Sequence, residues 1–65
     1  MKLSKKDIGK WVTYSNGFAE ERGKIKAFDN ERKVAWVVFH CNENWDNDEW
    51  KNYTGQCTDY KYLTF

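Results

Sequence analysis

From residue 20 to residue 40 the hydrophobic and polar positions alternate as the two arms of a β-hairpin do. In the first arm, Glu20 to Phe28, the side chains of Arg22, Lys24 and Lys26 fall on one face and those of Gly23, Ile25 and Ala27 on the other, since successive strand residues point to opposite sides. Asp29, Asn30, Glu31 and Arg32 make a tight polar connection. The second arm, Lys33 to His40, is rich in β-branched and aromatic residues and apolar on both faces: Val34, Trp36 and Val38 on one, Ala35, Val37 and Phe39 on the other. A strand covered on both sides of a small sheet implies a closed or strongly bent sheet, and Gly23 is a suitable place for a bend or bulge.

Around this hairpin the pattern predicts shorter elements. Val12 to Tyr14 reads as a first strand, and residues 15 to 21, SNGFAEE, supply a glycine-containing turn. Trp50 to Tyr53 reads as a short fourth strand ended by Thr54 and Gly55. Thr58, with Asp59 following, suits the start of a single helical turn through Tyr62, and Leu63 to Phe65 forms a last strand closing on the first. The expectation is one all-β domain over residues 1–65, a small SH3-like barrel. It has four to five short antiparallel strands and one helical turn before the last. A chain this short has little surface to spare, so most of its twelve aromatic residues are expected in the core.

Two resemblances to known proteins stand out. DIGKWVTY, then ERGKIKAF and VAWVVF, resemble the opening of SH3-like barrels of the Tudor and KOW type. The tail YTGQCTDYKYLTF, with ERGKIKAF, is similar to small proteins of unknown function carried by bacteriophages and prophages. The first resemblance implies the fold alone, with no ligand-cage aromatic carried over. The second implies an interaction module that binds a host protein, defence enzymes included, in the host bacterial cytoplasm.

Charge changes the picture more by its distribution than by its sum of +1. Residues 1 to 33 hold nine Lys/Arg against five Asp/Glu, while residues 34 to 65 hold two against five, so the chain can present one basic and one acidic surface. The acidic half contains NENWDNDEWKNYTG, residues 42 to 55. Trp50 is expected to pack inward. Trp45, set among Glu43, Asp46, Asp48 and Glu49, is the candidate hot spot for a basic protein partner. The alternative reading of the stretch is a solvated loop whose Trp45 lids the barrel.

The basic half offers nucleic-acid binding as the second function. Arg22, Lys24 and Lys26 would stand about 7 Å apart on one strand face, a spacing that can follow a phosphate backbone. Trp11, Phe18 or Phe28 would provide stacking. Strand lysines also serve as edge protection, which is the bland alternative. A structural or self-assembling subunit is the third class.

Catalysis is not expected. The chain has one histidine, His40, and lacks a nucleophile elbow or a phosphate-cradling loop; His40 and Cys41 are strand neighbours pointing to opposite faces. His40, Cys41, Cys57 and Asp59 lack the paired spacing of a zinc site, so neither metal nor cofactor is expected. The residues after Met1 form no secretory-length apolar run and the chain has no membrane span. A cytoplasmic setting, with reduced cysteines and no Cys41–Cys57 bridge, follows.

Overall fold

The computed structural model describes residues 1–39 and 48–65. Five strands form one open antiparallel sheet: β1 (Trp11–Ser15), β2 (Glu20–Asp29), β3 (Val34–Val38), β4 (Gln56–Asp59) and β5 (Leu63–Thr64). Their order is β4-β3-β2-β1-β5, so β4 and β5 are the two edges. Short 3₁₀ turns occupy Lys5–Asp7, Asp48–Asn52 and Tyr60–Tyr62, and no α-helix occurs among the described residues.

The 20–40 hairpin forms as its alternation predicts, with β3 ending at Val38 and His40 lying outside the described residues. Its connection is built by Asp29, whose Oδ1 accepts from the backbone N–H groups of Glu31 and Arg32. At the β1–β2 turn Asn16 acts alike, its Oδ1 accepting from Phe18 and Ala19.

Two expectations about the sheet are corrected. Gly23 is not the bulge: it pairs in register with Val12, and its neighbour Lys24 pairs with Val38. The register slips between Ile25 and Ala27, which makes Lys26 the extra residue. Alternation therefore flips there, and Phe28 rather than Ala27 packs against the core. Nor is Trp50 to Tyr53 a strand. It lies in and just after the 3₁₀ turn Asp48–Asn52, with Tyr53 N–H donating to the Trp50 carbonyl, and the fourth strand is Gln56–Asp59. The carbonyls of Lys51 and Tyr53 accept from the Lys26 ammonium at 3.0 and 2.7 Å, contacts that suit a turn and replace a ladder partner.

The core explains why β3 is apolar on both faces. On one side Ala35 and Val37 join Leu3, Val12, Ile25, Tyr60 and Leu63 in a single buried cluster. A flat sheet would hold β3 and β5 three strand spacings apart, about 14 Å. Their inclusion in one cluster means that the sheet curls around it. On the other side Val38 packs with Trp50 in a second, smaller cluster. The aromatic residues do not make up the core as expected: of those described, only Trp50 and Tyr60 are buried, and Phe18 stands 99% exposed at the β1–β2 turn. Aliphatic side chains do most of the filling.

Asn30 ties the chain's start to its end. Its side chain accepts from Leu3 N–H and from the Tyr60 hydroxyl (2.7 Å), and donates to the Leu3 carbonyl (2.7 Å). Burial, with the Asp29 charge as a smaller cause, raises the Tyr60 phenol above its ordinary value of 10.0. A raised folded value means that Tyr60 contributes stability fully below pH 10 and loses it as pH climbs through the folded value. Tyr60→Phe should cost about 1 kcal/mol at neutral pH through the lost hydrogen bond to Asn30. The variant should also show a shallower alkaline decline in urea midpoint than the parent. Identical alkaline profiles would remove Tyr60 as their cause.

Candidate functional site: a basic and aromatic face

β1 and β2 set the geometry of the site. Their antiparallel register places Trp11 opposite Lys24 and Thr13 opposite Arg22, with Val12, Gly23 and Ile25 turned inward to burial. Trp11, Arg22 and Lys24 thus share the outward face. The Arg22 guanidinium and the Lys24 ammonium each lie 5.2 Å from the Trp11 ring centre. Lys24 also lies 5.8 Å from the Trp50 ring, and Lys51 lies 5.6 Å from the same ring. Cations and rings therefore alternate across the face: Arg22, Trp11, Lys24, Trp50, Lys51. Each such contact is worth about 0.5–1 kcal/mol at an exposed site.

Trp50 reaches this face because Gly9 admits it. Gly9 has φ +89°, a region that favours glycine, and a Cβ there would stand 3.3 Å from the Trp50 ring. Trp50 is 95% covered, as expected for an inward-packing residue.

The basic stripe is thus partly redrawn. Arg22 and Lys24 come together as the alternation predicts. Lys26 sits at the bulge with its ammonium on two backbone carbonyls, acting as a staple for the 48–52 turn. Lys51 takes its place, and sequence reasoning missed it because a strand at Trp50–Tyr53 would have pointed Lys51 away from the Trp50 side. Of the proposed stacking residues only Trp11 belongs here: Phe28 packs against the core and Phe18 is at the turn tip.

Of the acidic stretch, Glu43, Trp45 and Asp46 lie outside the described residues, Asp48 opens the 3₁₀ turn, and Glu49 is exposed on it. His40 and Cys41 also lie outside; Cys57 and Asp59 are exposed on β4. Among the described residues no three His, Cys, Asp or Glu side chains gather as a metal site, and no helix is long and apolar enough to cross a membrane. No protein-family model matches the chain, and no curated protein or solved structure matches it.

Proposed function

We propose that this chain is a non-enzymatic interaction module built on an SH3-like barrel, and that its outward β1–β2 face binds single-stranded nucleic acid. The barrel reading is supported by the strand order β4-β3-β2-β1-β5, the long bulged β2 and the 3₁₀ turn between β4 and β5. The binding reading is carried by one observation, the alternation of three cations with two tryptophan rings. Phosphates are attracted to Arg22, Lys24 and Lys51, and a base stacks on the Trp11–Arg22 pair, since both an indole and a guanidinium plane serve as platforms. A host protein held by the acidic 42–50 stretch is the competing proposal. It draws on Glu43, Trp45, Asp46, Asp48 and Glu49, of which the first three lie outside the described residues.

The test is fluorescence anisotropy with a labelled oligothymidylate across a salt series. Three phosphate contacts predict a log–log salt slope near −2, at about 0.7 per phosphate for a single strand. Replacing Arg22, Lys24 and Lys51 together by glutamine should flatten that slope. No binding at low salt, or a slope unchanged in the triple variant, would overturn the assignment.

A further inference from the structure

A second surface lies between the edge of β4 and the open ends of β1 and β2. Two adjoining hollows of about 300 and 270 Å³ share Glu21, Phe39 and Gln56 and so form one continuous groove. Its aromatic wall is a cluster in which the Tyr14 ring meets Phe39 and Tyr62 edge-on, each at 5.7 Å between centres. Its other wall is Gln56–Asp59, all four residues of β4. Consecutive strand residues point to opposite faces, so a wall made by all four is the strand's edge and not one of its faces. β4 is the end strand of the sheet, with β3 its only neighbour among the described residues. Such an edge presents backbone donors and acceptors to an added strand.

The rim decides what kind of strand. Glu21 and Asp59, both exposed, bring carboxylates to the groove, and no lysine or arginine lines either hollow among the described residues. The aromatic rings present π-faces that attract cations. At Tyr62 the chain's own Lys61 ammonium, 5.0 Å from the ring centre, already holds such a place. We propose that the groove takes an extended, lysine- or arginine-bearing segment of a partner protein, added along β4 as a further strand. Its basic side chains face Glu21, Asp59 and the ring of Tyr14.

The experiment uses the full chain, isotope-labelled, and two capped peptides, one alternating lysine and threonine, the other glutamate and threonine. Amide chemical shifts are followed at rising peptide concentration. The lysine peptide is expected to move Gln56 to Asp59 and Tyr62, to bind more weakly as salt rises, and to lose about tenfold in affinity with Glu21→Lys. Glu21→Gln, which keeps the side-chain shape, should show a smaller loss in the same direction. No shifts, equal binding of the glutamate peptide, or shifts confined to Trp11, Arg22 and Lys24 would overturn the proposal. So would β4 shifts that depend on protein concentration without peptide, because a second copy would then be the occupant.

Discussion

Trp50→Ala is expected to lose about 3–5 kcal/mol of stability, the usual cost of emptying a tryptophan site. At about 0.05–0.15 kcal/mol per residue, a domain of this length holds only about 3–10 kcal/mol in all. The variant should therefore lose a large share of its stability. The ring covers Val38 on the outward side of β3 and lies against Gly9, so its removal strips the whole second cluster at once. It also removes the surface on which Lys24 and Lys51 rest. Trp50→Phe retains part of the cover and should fall between the two. Urea midpoints of the three proteins check this. A Trp50→Ala protein melting within a few degrees of the parent would mean that the second cluster carries no weight.

What the sequence made legible is what alternation encodes. The two arms of the hairpin, the first strand, the turn after Asp59 and the closing strand at Leu63 all follow from local pattern, and all are found. The cap sits one residue later than the expected start at Thr58: Thr58 belongs to β4, and Asp59 caps the turn, its Oδ1 accepting from Lys61 N–H. What failed lies where a distant partner decides. Residues 50 to 53 carry strand-forming aromatics beside a turn-forming Asn52, and the ammonium of Lys26, some 25 residues earlier in the chain, closes on the Lys51 and Tyr53 carbonyls. The bulge was misplaced for a related reason. A glycine suggests an irregular backbone, yet Gly23 is regular and is small because β3 comes close, while the extra residue is a lysine with a long-range hydrogen-bonding task. At the candidate site, the Trp11, Arg22 and Lys24 grouping follows from strand parity, whereas Lys51 enters only through a turn that parity does not describe.

Gly23→Ala should destabilise the protein by about 1–3 kcal/mol, although it adds a single methyl group. A Cβ on Gly23 would stand 2.6 Å from Val37 Cγ1, 2.6 Å from the Val38 carbonyl oxygen and 3.0 Å from Phe39 Cδ1. The first neighbour is fully buried and the second is backbone, so neither can swing aside, and β2 and β3 must separate locally. Alanine also restricts the unfolded chain, which favours folding by about 0.4–1 kcal/mol. That gain is smaller than the clash, so the net sign stays destabilising. Val37→Ala should relieve one of the three contacts and leave the carbonyl. The double variant is thus expected to be more stable than the sum of the single losses, with a coupling of about 0.5 kcal/mol or more. The displacement should also reach the groove, because Phe39 carries the edge-on contact to Tyr14. Amide shifts at Tyr14 and Tyr62 should therefore move in Gly23→Ala even where the fold survives. A Gly23→Ala protein as stable as the parent, with those shifts unmoved, would show that β2 and β3 have slack at this crossing.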